Sequence, residues 1–489
     1  MNAQQAMLLA IGLPWLGALI ILLLDRWPNL REAVTLVTAG AVVACVLSLL
    51  PVAMAGASGA ITLLELMPGL TLSLALEPLG MIFALVASVL WLATSVYAIG
   101  YMRGHHEQHQ TRFYACFAIA ISSALGVAFA DNMLTLFVAY EILSLSTYPL
   151  VTHAGTEQAR RAGRLYLGIL MGTSIGFQLL AILWTWQLAG TLDFTDGGII
   201  AEHLQGPLVS VLLALYVFGI GKAAVMPFHR WLPAAMVAPT PVSALLHAVA
   251  VVKSGVFAIL KVCVYIFGLD FLDGTGAADW LLYFAGATIL LGSLVAMRKD
   301  NLKARLAYST ISQLSYIVAG ALLASSLAVT GAAMHIAMHA FGKITLFFCA
   351  GAILVAAHKT EISDMGGLGR SMPITMGAFL IGSLTIIGLP PTGGTWSKFY
   401  LALGSLQAGQ TWMLAVLMIS SVLSIAYLLP IPVRAFFSKP AADAPAGINE
   451  APWPCLMAIG FTATGCIALF FWPDLLFELA RRIAPAPGQ

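Results

Sequence analysis

Runs of about twenty apolar residues, the length a helix needs to cross a bilayer, recur along almost all of this 489-residue chain. Fourteen can be placed, near 5–24, 33–55, 78–101, 113–129, 131–150, 163–189, 207–232, 240–267, 277–296, 303–324, 328–356, 373–407, 411–436 and 453–475. Such a chain has few folds open to it. Hydrocarbon offers no partner to a backbone amide, so each run must satisfy its own hydrogen bonds as a helix. The expected class is an all-α polytopic membrane protein with about 14 transmembrane helices. Composition agrees: 60% of residues are hydrophobic and 9% charged, and the mean hydropathy is +0.93. The opening MNAQQAM has no basic cluster, so the first run reads as a retained helix rather than a cleaved leader.

The basic residues sort by side. Sixteen of the 23 lysines and arginines, among them Arg26, Arg103, Arg112, Arg160, Arg298, Lys303, Lys359, Arg434 and Lys439, fall at one set of span ends; the other set holds only Arg481 and Arg482. By the positive-inside rule the sixteen face the cytoplasm of a bacterial inner membrane, and both termini lie outside. Five lysines remain, all inside spans: Lys222, Lys253, Lys261, Lys343 and Lys398.

Other chemistry is excluded or weak. The net charge of +2 gives no reason to expect nucleic acid, and neither GxxxxGK[ST] nor GxGxxG occurs. The six cysteines are scattered without cluster spacing, so no bound metal, cofactor or catalytic redox site is expected. HHEQH, residues 105–109, reads as a solvated turn in a basic loop. LTLSLAL, residues 70–76, alternates like a short exposed strand.

Two spans carry their own interruptions. Pro227 stands in GKAAVMPFHRWLP of the seventh, and Pro390 and Pro391 stand in GLPPTGGTWSKF of the twelfth. Proline removes a backbone donor and glycine weakens a helix, so both spans are expected to unwind there. Unwound backbone at membrane depth must be buried in protein or line a hydrated path. The breaks are five spans apart, which suggests two five-helix repeats of opposite orientation. The chain then divides into 1–112, a first half-channel at 113–267, a second at 277–436, and 453–489. Gly168, Gly172 and Gly176, at four-residue steps, suggest a helix-packing seam.

Glu141 is the one acid read inside a span. With the five lysines it makes six ionisable groups, which would cost on the order of 15–20 kcal/mol if exposed to lipid. They are therefore expected to face an interior path. His335, His339 and Lys343 follow one another at four-residue spacing, on one helix face. Histidine titrates near neutrality and suits steps between lysines, so this file, with His247 ahead of Lys253, reads as a proton relay. A zinc pair is disfavoured because Ile336 stands where HExxH has its acid. Lys261, near the end of its span, reads as a snorkelling side chain.

Four ordered segments resemble one family: GKAAVMPFHRWLPAAMVAPTPVSALLHAVAVVKSG, NLKARLAYSTISQLSY, HIAMHAFGKITLF and GLPPTGGTWSKF. Over about 113–436 the chain is similar to the antiporter-like subunits shared by respiratory complex I and Mrp-type cation/proton antiporters. The resemblance implies that Glu141 and Lys222 are the coupled pair of the first half-channel and that Lys253, assisted by His247, is the central link. His335, His339 and Lys343 would carry the relay on, and Lys398 would be its terminal lysine near the outer exit. Gly342 departs from the family, where a bulky residue precedes the lysine; it leaves space for water and loosens the helix. No long lateral arm follows the last span, and a lysine rather than glutamate at 398 favours the D-type subunit of an Mrp antiporter. The implied function is proton translocation coupled to Na+ or K+ exchange, with other membrane subunits as partners. The alternatives are a proton-pumping subunit of complex I or a related hydrogenase, and a membrane partner in inorganic-carbon uptake.

Overall fold

A computed structural model describes residues 2–56, 59–439 and 447–484; the end of the 453–489 segment lies outside the described residues. Helices are α1 (Ala3–Leu23), α2 (Pro28–Met54), α3 (Pro78–Gly104), α4 (Gln110–Ala128), α5 (Met133–Val151) and α6 (Glu157–Ala189). They continue as α7 (Pro207–Gly219), α8 (Thr240–Phe267), α9 (Asp279–Arg298), α10 (Leu302–Leu322) and α11 (Ser326–Ala357). The chain then forms α12 (Pro373–Ile387), α13 (Gly394–Gln407), α14 (Thr411–Phe437), α15 (Trp453–Phe471) and α16 (Asp474–Arg481).

Among the described residues, eleven of these helices are long and apolar enough to cross a membrane. α10 has the length but less apolarity, since it carries Lys303, Arg305, Gln313 and several hydroxyl residues. The remaining two expected spans are interrupted as their prolines demand. α7 ends at Gly219, and the chain passes through a single 3-10 turn and a loop before a short helix at Trp231–Ala234. α12 ends at Ile387 and α13 begins at Gly394, with Pro390 and Pro391 between them.

Sequence reading missed other irregularities. α6 widens into a π turn at Ser174–Gln178, and α8 does so at Leu245–Val249 and Val262–Phe267. The strand expected at 70–76 is half of a hairpin, in which β1 (Ile61–Met67) pairs antiparallel with β2 (Leu70–Leu74). Asn132 fastens it to the bundle. Its side chain caps α5 by accepting from Thr135 N and donates to Ser73 Oγ at 2.8 Å.

The most deeply buried helices are α8, α4, α3 and α11, with α10 buried along most of its length. The apolar window of α8 is completely buried, whereas α1, α2, α9 and α15 each turn a broad apolar face outward. The glycine file of α6 does not pack against this chain: a Cβ at Gly168, Gly172 or Gly176 would meet nothing within 4 Å. These glycines face outward, so the expected seam is not an internal one. Gly342 is corrected too. A Cβ there would come within 3.0 Å of Ile386 and Thr385 on α12, so the glycine draws α11 against α12 and leaves no extra room. α11 runs unbroken for 32 residues through that point.

Candidate functional site

The break after α7 puts Lys222 in the interior. Its ammonium donates to Tyr140 O at 2.6 Å and Ser144 Oγ at 2.7 Å, both on α5, and lies 3.0 Å from the Tyr140 ring centroid. Its backbone N–H donates to the Tyr140 hydroxyl at 3.1 Å. Glu141, the next residue of α5, is not its contact partner. Both carboxylate oxygens of Glu141 are enclosed without a hydrogen-bond partner among the described residues. The expected pair is thus a pair of neighbours: the lysine is docked on a carbonyl, and the acid is held apart.

Lys222 and Lys253 are linked through backbone packing. A Cβ at Gly255, two residues past Lys253, would lie 2.5 Å from Lys222 C, so only glycine lets α8 approach the break this closely. The buried Lys253 ammonium reaches across to α11, where it meets His339 Nδ1 at 2.5 Å. A charged Lys253 donates to a bare Nδ1, and a neutral Lys253 amine accepts from a protonated Nδ1, so the proton can sit on either group. Along α11 the His339 and His335 rings lie 5.6 Å apart. His335 Nδ1 is 2.8 Å from Ser397 Oγ on α13, and its ring stacks on Tyr316 of α10 at 5.8 Å.

Lys398 approaches that same tyrosine from another side, 4.8 Å from its ring centroid. The half-buried ammonium donates to Ile387 O at 3.0 Å and Ser421 Oγ at 3.1 Å. Ile387 O belongs to the last turn of α12, the negative end of a half-helix, which is a favourable place for a cation. A Cβ at Gly388 would lie 2.7 Å from the Lys398 stem, so the glycine leaves the path for this side chain open. Lys343 takes a second branch. It donates to Ser309 Oγ at 2.6 Å, and Ser309 joins Tyr427 at 2.9 Å, towards the basic face. The file on α11 therefore forks, with His335 leading to Lys398 and Lys343 leading to Ser309 and Tyr427.

His247 is buried in the first π turn of α8 with both ring nitrogens unpartnered among the described residues, its ring 4.8 Å from that of Phe347. Lys261 overturns its snorkelling assignment. It is wholly buried and ion-paired with Glu77, an acid at the start of α3 that lies just outside the third expected span. Sequence reading missed Glu77, and with it Tyr140, Ser144, Ser309, Tyr316, Ser397 and Tyr427. Hydroxyls and tyrosines are ordinary in membrane helices and gave no signal of their own; only the turn-spaced match to a lysine or histidine on a neighbouring helix marks them. Among the described residues no cluster of three or more His, Cys, Asp or Glu side chains is placed to hold a metal.

The chain is similar in sequence and fold to known proteins. Residues 130–424 match the family described as NADH:quinone oxidoreductase/Mrp antiporter, TM. The chain belongs to this family. It is 34% identical over 373 residues to NADH-quinone oxidoreductase subunit N of Desulforudis audaxviator (strain MP104C), covering 75% of this chain and 73% of that one. It is 30% identical over 416 residues to a probable K(+)/H(+) antiporter subunit of Rhizobium meliloti (strain 1021), covering 83% of this chain but 40% of that longer protein. In fold it is similar to a chain of the Mrp complex from Dietzia sp. DQ12-45-1b, with a TM-score of 0.87 at 21% identity, covering 99% and 97% of the two chains. A chain of the membrane-bound sulfane sulfur reductase, an archaeal respiratory membrane complex, gives 0.86 at 23% identity, covering 98% and 97%. This family member is an antiporter-like membrane subunit.

Proposed function

We propose that this subunit translocates protons, in a multisubunit Mrp-type antiporter that exchanges Na+ or K+ for protons. The observation that carries the reading is the Lys253–His339 contact at 2.5 Å. It joins the Lys222 break to the α11 file across a fully buried core. A lysine–imidazole contact in which the donor changes when the proton crosses is what a relay needs at its junction: the ammonium donates to a bare ring nitrogen, and the neutral amine accepts from a protonated one. The resting proton is shared between Lys253 and His339. Protonation of Glu141 or its loss changes the field at Lys222, and movement of that ammonium changes the field at Lys253. A proton then passes to His339 and on to either branch.

The half-channels at 113–267 and 277–436, the bacterial inner-membrane location and the outside position of both termini are parts of the same reading. The outward glycine file of α6 and the exposed β1 strand support the presence of neighbouring subunits. A second reading couples the same path to redox chemistry in partner subunits, and the 34% identity to a quinone oxidoreductase subunit favours it. Proton flux in vesicles carrying the assembled complex, read with a pH-sensitive dye, separates them. Flux driven by added Na+ or K+ supports exchange; flux driven only by an electron donor supports the redox-coupled reading. Absence of proton flux under both conditions, in vesicles shown to contain the intact complex, refutes both.

A further inference from the structure

Lys261 stands two turns beyond Lys253 on the same face of α8 and six residues before that helix ends. Besides Glu77, its ammonium meets Ala130 O at 3.4 Å. Three rings surround it: Phe194 at 4.3 Å, Tyr265 at 5.1 Å and Phe257 at 5.7 Å. Phe257 packs in turn on Phe83 of α3 at 5.2 Å. Phe194 is delivered by the loop between α6 and α7, which is tied down over the end of α8. The second π turn presents Ile266 O, and Ile199 N and Ile200 N donate to it at 2.9 and 3.2 Å.

Beyond this collar, at the face opposite the basic one, lies a cavity of about 570 Å³ whose lining includes Asp196, Asp270, Asp273, Arg482 and Val264 of α8. On the inner side Lys253 is eight residues away, about 12 Å along the helix axis, with Phe257 between. A tie between helix ends needs no such setting. A buried ion pair adds little net stability, and the lysine of this one stands on α8 between Lys253 and Val264, the residue through which that helix lines the acid-bearing cavity.

We propose that Lys261 and Glu77 form the gated end station of the proton path on α8. This deepens the proton-translocation reading and rests on it. The Lys261 ammonium transfers a proton to the Glu77 carboxylate, leaving a neutral amine and a carboxylic acid. The acid then releases that proton to the mouth. The amine is recharged from the Lys253 side when the Phe257–Phe83 pair parts and admits water; while the rings are closed, the two sides stay insulated.

The test uses the assembled complex in vesicles. Lys261→Arg keeps the ion pair but replaces a releasable proton with a permanent charge, so proton flux should fall about tenfold or more. Lys253→Met is measured beside it. Normal flux in Lys261→Arg with blocked flux in Lys253→Met makes Lys261 a structural tie and overturns the inference while leaving the function intact. Normal flux in Lys253→Met overturns instead the route through Lys253 on which the reading of this subunit rests. A second measurement covers the case in which Lys261→Arg fails to accumulate. In a chain stripped of its native cysteines, Ser254→Cys reports access behind the collar to an impermeant maleimide applied from the acid-lined face. Labelling should be negligible with the ring pair intact and faster by about tenfold with Phe83→Ala, a change that removes one ring of the gate and leaves a cavity. Equal labelling in the two overturns the gate.

Discussion

The α5–α7 site and the array along α11 both hold buried lysines, and they treat positive charge in opposite ways. At the first, Lys222 is docked on Tyr140 O and Ser144, and an acid, Glu141, is the next residue along α5. A charge there can be balanced in place. Along α11 the contacts of Lys253, Lys343 and Lys398 are a histidine, hydroxyls and backbone carbonyls; none is a carboxylate. With only bases in file, protons exclude one another. Two charges separated by the 5.6 Å of the His335 and His339 rings repel by about 3 kcal/mol at an effective dielectric near 20. In the proposed relay, a proton arriving at one station therefore pushes the next one out. On the proposed function the first site sets a charge, and the second passes it on.

The contrast can be broken most severely at the junction. Lys253→Met removes the group that joins the two regions, and proton flux should drop by about a hundredfold or more, the scale of losing a positioned acid–base group. If flux stays within about twofold at equal abundance, the two regions are not connected through His339.

Next come the two partners at the first site. Glu141→Ala and Lys222→Ala should each abolish most transport while leaving the protein in the membrane, since either change leaves the other group uncompensated in a low-dielectric interior. Near-normal uptake in both variants would show that the first site does not set the charge.

Lys343 sharpens the second half of the comparison. Lys343→Met keeps length and apolar stem without an ionisable group, and a severe loss is expected. Lys343→Arg carries a charge that does not leave at physiological pH and should fail nearly as badly. A packing role gives the reverse order, with methionine tolerated and arginine the more harmful. The ranking of the two in one flux assay decides.

The smallest expected effect lies on the Lys398 branch. Ser397→Ala removes one hydroxyl contact to His335, worth about 1 kcal/mol, and should slow flux by a fewfold. A loss as large as that of Lys253→Met would make this branch the sole route and the Ser309 branch a dead end.

Much of the fold was legible because membrane helices announce themselves by length and apolarity, and because Pro227, Pro390 and Pro391 cannot continue a helix. The π turn around His247 was not legible: Leu245–Val249 contains neither proline nor glycine, and a single extra residue in a turn leaves the apolar pattern unchanged. The buried lysines and histidines of the proposed relay could be picked out one by one, since an ionisable group in an apolar run stands out. Their partners could not. Glu77 is 184 positions from Lys261, and Glu141 lies next in sequence to the residue that in fact holds Lys222. Gly342 misled for a related reason, because sequence shows a missing side chain but not the neighbouring helix that fills its place.

The unbroken course of α11 has a consequence for timing. The three stations of the proposed relay on α11 sit on one stiff rod that fixes their separations, so in that relay the helix acts as a stator rather than a lever. What can move are single side chains, whose rotamer changes take picoseconds to nanoseconds when unhindered, and the interrupted segments that carry Lys222 and Lys398. Coupling in such a machine need not wait for two domains to rock past each other over microseconds to milliseconds. It can travel as a succession of small electrostatic displacements along a fixed track, with the slow step at the breaks.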